Sequence, residues 1–472
     1  MTRLPPQLRS TIVYLGTIVM AQLASFMLLP VVTRFLGPAQ FGEYALALAV
    51  ASLVGMTGST WIRNVAFRFY FDARVDGTTR PFFWSVAALQ AVVLTVAFGV
   101  TIVLLPLVSS DLVPMTTLLA AACMIFASDF QALAVSFIRA EQMSGRFAVA
   151  EIAAAVTRLV GTAIGLALGF VHPVFLFLAA AFASLVGGAI ALIALRARLV
   201  GPATLDARTM WSVLQRAPGA LPFSLGQWFG RLADRLVLNA YASTAVVGTY
   251  SAGYSLSDRI ANGLGDAVFM MSWPDVLKAW SEGGVAAARV AVRRYFQIFL
   301  WLTVGPVVAL VIFADPFVAF MLGDGYAEAA LVVGLVAVAA WTRGIIGGLN
   351  RHFELQKRFY ALSLMTIGGA AVHLVLNLVL VPQYLAVGAG IAYLSAQVLL
   401  MLVAIVIRDR ELVWFPWPDA LHVGVVSLVA AVLVVVAVGV SMPGLVTFAV
   451  AYSIATAAVW RGRLRRGWVG GS

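Results

Sequence analysis

Apolar residues run in blocks of membrane-spanning length along the whole chain, and polar residues collect in the short gaps between them. A helix needs about 20 mostly apolar residues to cross a bilayer. Fourteen blocks meet that length: residues 11–33, 41–62, 82–107, 115–137, 148–170, 173–195, 218–240, 248–272, 295–314, 327–349, 359–381, 387–407, 419–441 and 444–460. The gaps leave no room for a water-soluble domain of ordinary size. The first block ends in Val32-Thr33-Arg34-Phe35 with no small-residue cleavage site, so it reads as a membrane helix and not as a cleaved signal.

Composition agrees. Of 472 residues, 62% are hydrophobic and 11% are charged, where soluble chains run at about 45–50% and about 25%. Mean hydropathy is +0.98. A single cysteine, Cys123, excludes a disulfide framework and reads as a packing residue. The balance of 31 basic to 20 acidic residues changes the picture more. In a soluble protein such an excess points to nucleic acid. Between membrane spans it points to sidedness, because Lys and Arg collect in cytoplasmic loops.

With the N-terminus placed inside, all basic residues but six fall in inner segments, and the outer loops carry Asp111, Asp315, Asp324 and Glu328. Both termini are therefore expected in the cytoplasm, in a multi-pass protein of the bacterial inner membrane. The six exceptions are Arg34, Arg158, Arg231, Arg235, Arg259 and Arg343, in or at the ends of spans. Charge is costly there, so these positions are where function is sought.

The longest inner loop, Arg196 to Arg216 with Gly201-Pro202, divides the spans into two sets of six. Phe41-Gly42-Glu43-Tyr44 aligns with Val247-Gly248-Thr249-Tyr250 at an offset of 206 residues, and each stretch opens the second span of its half. An even number of spans per unit makes such repeats parallel. The expected fold is an all-α polytopic membrane protein of about 14 transmembrane helices. It has two six-helix lobes in pseudo-twofold arrangement (residues 1–200 and 201–410) and two additional helices with a basic tail (411–472). The two extra spans are expected to pack on the core or bind lipid.

Four stretches carry a resemblance. They are Arg34-Phe35-Leu36-Gly37-Pro38-Ala39-Gln40-Phe41-Gly42-Glu43-Tyr44; Ala233-Asp234-Arg235-Leu236-Val237-Leu238 with Val247 to Tyr254; Trp273-Pro274 followed by basic residues to Arg293-Arg294; and Met321-Leu322-Gly323-Asp324-Gly325-Tyr326-Ala327-Glu328-Ala329. In that order they resemble polysaccharide-export flippases of the multidrug/oligosaccharidyl-lipid/polysaccharide (MOP) superfamily over roughly residues 8–410. The resemblance implies two lobes around a central cavity. It also implies transport of a polyprenyl-pyrophosphate-linked glycan from the inner to the outer leaflet. Substrate and coupling ion vary in the family and are not inherited.

Span seven holds Gln227, Arg231 and Arg235 at four-residue spacing, which places them on one helical face, with Asp234 three residues after Arg231. Span eight holds Asp258, Asn262 and Asp266 at the same spacing, with Arg259 beside them. One reading is anion capture in a hydrated cavity. Guanidinium groups bind pyrophosphate bidentately and stay charged when desolvated. Arg231, Arg235 and Arg259 lead, with Arg34, Arg158, Arg343, Gln227 and Asn262 as further cavity groups. Asp234, Asp258 and Asp266 balance the arginines or bind H⁺ or Na⁺. The other reading is structural ion pairs, Arg231 with Asp234 and Arg259 with Asp258 or Asp266.

Several features have plainer readings. Gly161, Gly165 and Gly169 suggest close helix packing. Glu151 pairs with Arg146 or shares a face with Arg158, and Arg34 snorkels outward. Gly344, Gly347 and Gly348 beside Arg343 let backbone or substrate approach. His373–Asn377 and Asp129 with Gln131 read as hydrogen-bonded helix contacts. Residues 276–294 suggest an amphipathic interfacial helix, and the run Arg461 to Arg466 a headgroup anchor.

No ATPase, metal or serine-nucleophile motif occurs, and no cofactor is expected. The outer loops are too short for a glycan polymerase or transferase, so an enzyme is not expected. The rivals are a cation-coupled drug or metabolite antiporter, which favours an acidic cavity, and a flippase for the peptidoglycan lipid precursor. Expected partners are the lipid-linked oligosaccharide, membrane lipids, Na⁺ or H⁺, and a polysaccharide polymerase and glycosyltransferases, with no nucleic acid.

Overall fold

The computed structural model describes residues 6–108, 113–199, 204–215 and 224–465. Every regular element among them is helical. The loop with Gly201-Pro202, the start of span seven, Asp111 and the last basic residue Arg466 lie outside the described residues. Among the described residues, eleven helices are long and apolar enough to cross a membrane. The all-α, polytopic reading therefore holds. About fourteen crossings are consistent with the eleven, because two helices each merge two predicted spans and another span is broken.

The helices are α1 (Pro6–Phe35), α2 (Pro38–Gly55), a π-helical turn (Met56–Thr60), α3 (Trp61–Val75), α4 (Thr79–Val108), α5 (Met115–Ala140), α6 (Ser144–Ala167) and α7 (Pro173–Leu199). The short α8 (Ala207–Leu214) lies in the linker. Next come α9 (residues 224–229) and α10 (Ala233–Tyr241), separated by a turn at 230–232. Helix α11 (Thr244–Ile312) holds spans eight and nine with one non-helical residue, Gly284, at φ 62°. Then follow α12 (Ala314–Leu322), α13 (Ala329–Leu349), α14 (Arg351–Leu355), α15 (Phe359–Ile407, broken at Leu385), α16 (Trp417–Val438) and α17 (Met442–Arg465).

The chain divides after Gly248 into two compact units. In the first, one cluster of Trp61, Tyr70, Phe83 and Phe137 joins α3, α4 and α5. A second cluster of Ala47, Leu118 and Phe177 joins α2, α5 and α7, with Tyr44 stacked on Phe177 at 4.8 Å between centroids. Glu141, capping the C-terminal end of α5, accepts from Tyr70 and pairs with Arg74 at 3.8 Å and Arg198 at 3.4 Å. One carboxylate thus ties three helix ends together. On α4, Val92, Val96, Val100 and Val103 are exposed along one face. In lipid, such a stripe is the solvated surface and no liability.

In the second unit, Phe296, Phe299, Trp301, Leu349, Leu412 and Val413 form the core. The two extra helices dock on the second arm of α11. The Tyr452 hydroxyl donates to the Trp301 carbonyl at 2.5 Å, Gln297 donates to Asp419 at 2.7 Å, and Gly305 makes room for the Tyr452 ring.

Several local expectations are corrected. Only Gly165 of its glycine row is a packing contact, against the Phe175 ring; Gly161 faces open space, and Gly169 (φ 92°) terminates α6 in the left-handed conformation. Gly344 and Gly348 admit Phe299 and Phe296, so the row serves helix packing. Residues 276–294 are not a separate surface helix. They continue spans eight and nine to the break at Gly284, with Val276 and Val292 buried and Leu277 and Val290 exposed. Cys123 is exposed on α5.

Candidate functional site

Each unit contributes its own polar constellation. In the first, the turn at 230–232 breaks span seven, so the single face drawn through Gln227, Arg231 and Arg235 does not exist. Asp234 sits at the start of α10, where helix N-termini favour a carboxylate. It is held by Arg235: Nη1 and the backbone N of Arg235 each donate to Oδ1 at 2.9 Å. Arg235 Nη1 also donates to the Arg231 carbonyl at 2.8 Å. The side chains of Arg235 and Asp234 are 6% and 0% exposed. Arg231 is exposed and Gln227 is half-buried. The broken helix therefore separates a buried ion pair from an exposed arginine.

Arg34 is exposed at the end of α1, and Arg158 is half-buried on α6. Glu151 accepts from Gln131 Nε2 at 3.5 Å, and Arg146 donates to the Ala194 carbonyl at 2.7 Å; the expected Arg146–Glu151 pair is not formed.

In the second unit, Asp258 on α11 is buried. Its Oδ1 accepts from Asn262 Nδ2 at 2.5 Å and faces Arg343 Nη2 of α13 at 3.5 Å. Arg343 thus pairs with it from another helix, a contact that the sequence reading did not propose. Arg259 and Asp266 are exposed on the same helix. Tyr254 lies 5.5 Å from Tyr393, which lies 5.3 Å from His373. His373 is buried, and its carbonyl accepts from Asn377 at 2.9 Å, the helix contact expected for that pair. Below this wall, Arg351 stacks on Phe269 at 3.9 Å and Trp273 at 4.9 Å and pairs with Glu354 at 2.5 Å. A basic residue counted toward sidedness thus also clamps α14 to α11.

One pairing was missed. Asp129 of α5 accepts from Ser59 Oγ at 2.5 Å and pairs with Arg63 at 3.3 Å. Arg63 had been assigned to the inner flank of span two. The helix runs on through the π turn into α3 and keeps Arg63 against α5. The available signal was a lone carboxylate in the middle of span four.

Among the described residues no cluster of three or more His, Cys, Asp or Glu is placed to hold a metal. The charged groups at these sites are guanidinium and carboxylate side chains.

The profile of the polysaccharide biosynthesis protein family matches residues 7–268, more than half of the chain. The chain belongs to this family. No curated protein gives a sequence match. Solved structures share the fold. A structure of the lipid II flippase MurJ in an inward closed conformation superposes with a TM-score of 0.76, at 11% identity, covering 97% of this chain and 100% of that one. An inward-facing multidrug-resistance MATE family transporter gives 0.61 at 15% identity, covering 84% and 97%. The Vibrio cholerae MATE transporter VcmN gives 0.53 at 16% identity, covering 84% and 95%. The chain thus shares its fold with proteins described as flippases and transporters, the fold that the resemblance in the four stretches implied.

Proposed function

We propose that this polysaccharide biosynthesis family member is a flippase, not an enzyme, that moves a polyprenyl-pyrophosphate-linked oligosaccharide from the inner to the outer leaflet. The observation that carries the reading is the family match over residues 7–268. The charge pattern supports an orientation with both termini in the cytoplasm of a bacterial inner membrane. The two lobes at 1–200 and 201–410, with 411–472 as an addition, follow from the same pattern. Arg231 and Arg259 lead as phosphate-binding groups, since both are exposed on their own units. Arg34, Arg158 and Arg343 are secondary. Arg235 contributes by holding Asp234. Asp258, Asp234 and Asp266 balance this charge or exchange H⁺ or Na⁺. Glycosyltransferases and a polymerase supply and consume the cargo.

Arg231→Gln and Arg259→Gln, alone and together, test the reading with membrane insertion verified. Loss of glycan export at normal protein level is the expected result. Full export in the double variant would overturn the assignment of these arginines.

A second reading is favoured by one observation, the superposition on the lipid II flippase MurJ over 97% of the chain. In that reading the cargo is the peptidoglycan precursor. Rescue of a strain depleted of its own lipid II flippase decides for it. A cation-coupled antiporter is the third reading, and efflux of organic cations decides for that.

A further inference from the structure

The first unit contains a titratable group that the cargo-binding reading does not use. Asp129 lies 14 residues into the 26-residue helix α5, well away from both ends. Opposite it, the second span departs from α-helical geometry for one turn, Met56–Thr60. Such π turns insert an extra residue and are common at functional sites. This one is braced on two sides. A Cβ at Gly55 would touch Ile125 at 3.4 Å, and one at Gly58 would meet Leu94 of α4 at 2.8 Å. The Trp61 indole reaches back to the Thr57 carbonyl at 2.8 Å.

The turn delivers Ser59 to two acceptors at once. Its hydroxyl oxygen lies 2.9 Å from the Gly55 carbonyl and 2.5 Å from Asp129 Oδ2. A serine hydroxyl has a single hydrogen, so it serves one acceptor at a time. Arg63, one turn further, faces the other carboxylate oxygen through one nitrogen at 3.3 Å. The side chains of Arg63 and Asp129 are 24% and 13% exposed, so a path to the carboxylate remains on the Arg63 side.

We propose that Asp129, Ser59 and Arg63 form a proton-binding site in which protonation of Asp129 switches the Ser59 hydroxyl from the carboxylate to the Gly55 carbonyl. With Asp129 ionised, Ser59 donates to it and Arg63 is held beside it. When Asp129 takes up a proton, its new O–H donates to Ser59 Oγ. The serine hydrogen turns to Gly55, and Arg63 loses its counter-charge. One proton is bound, and no other bond is made or broken. The change lands on the π turn of the second span.

A proton fits better than a metal cation. The guanidinium stands at the position a cation would occupy, and the site offers few oxygens. Among the described residues, few charged groups surround the site. Arg63 comes from α3. On α6, Glu151 is bonded to Gln131, two residues along α5. From α2, α4 and α7 the neighbours are Gly55 and Leu94, and Gly187 at Gln131.

The proton site stands on the first unit alone. Its service as a coupling site rests on the transporter reading. The test therefore needs no cargo: infrared difference spectra of the full-length protein in lipid nanodiscs, recorded from neutral to acid pH. The expected result is a protonated-carboxyl band that grows on acidification and is lost in Asp129→Asn. Ser59→Ala and Arg63→Gln retain the band and move its midpoint to higher pH, because each removes a partner of the ionised form. Should Asp129→Asn fail to fold, Asp129→Glu keeps the test open by shifting the band. An unchanged spectrum in Asp129→Asn overturns the proposal, as does a midpoint indifferent to both Ser59→Ala and Arg63→Gln. Loss of the band together with unaltered glycan export leaves the proton site standing and removes its coupling role.

Discussion

Gly42 and Gly248 lie backbone to backbone where α2 and the first turn of α11 cross. A Cβ on Gly42 would fall 1.9 Å from the Thr244 carbonyl oxygen, and one on Gly248 would fall 1.8 Å from the Pro38 carbonyl oxygen. The contact is reciprocal, because Pro38 stands to Thr244 as Gly42 stands to Gly248, 206 residues apart in both cases. Two copies of one helix start meeting through the same surface is the signature of a local twofold relation.

Alanine at either glycine must push backbone away from backbone. Gly42→Ala and Gly248→Ala are each expected to lower stability by about 1–3 kcal/mol, the usual cost of overpacking. Gly161→Ala, which faces open space on α6, is expected to leave stability unchanged or raise it slightly. Thermal unfolding of the purified variants checks this, and equal behaviour of all three would contradict it.

The Asp234–Arg235 pair is buried, so breaking it is costly. Asp234→Ala leaves the Arg235 guanidinium without this partner, and a loss of about 3–5 kcal/mol is expected. Arg231→Gln, at an exposed position, is expected to melt like the wild type. The two arginines thus separate by readout: Arg235 changes stability, and Arg231 changes transport alone. A wild-type melt for Asp234→Ala is the contrary outcome.

The Tyr452 hydroxyl anchors α17 to the Trp301 carbonyl. Tyr452→Phe keeps the ring against Gly305 and removes the hydroxyl that makes that bond. The expected cost is about 0.5–1.5 kcal/mol. Faster amide exchange in α16 and α17, with α5 unaffected, is the measurement that follows it.

Asp206 caps α8. Its carboxylate accepts from the Thr209 hydroxyl at 2.6 Å and from the amides of Arg208 and Thr209 at 3.0 and 3.1 Å. The Thr209 hydroxyl first, and then the Arg208 amide, hold its carboxyl below the usual aspartate range. A depressed value means the cap is in place above the ordinary aspartate pKa and is lost as pH falls through the lowered one. Protection of the Arg208 and Thr209 amides, relative to the intrinsic exchange rate at each pH, is expected to fall on acidification. In Asp206→Ala that protection is low throughout, with its acid-dependent change gone.

The sequence carried the fold class because membrane insertion is decided by local composition. A block of about 20 apolar residues must be helical in lipid, where every backbone group needs an internal partner. It also singled out Gly42 and Gly248, and the intramembrane arginines, because charge inside a span is rare. Pairing was another matter. Helical spacing assumes an unbroken helix, and the turn at 230–232 and the π turn at 56–60 both violate it. Asp234 therefore holds Arg235, Asp258 faces Arg343 from another helix, and Asp129 meets Ser59 and Arg63. Which charges face one another across a bundle depends on where helices break and how they pack. No local pattern records that, so the sequence determined what crosses the membrane and the tertiary structure decided which buried charges are partnered inside it.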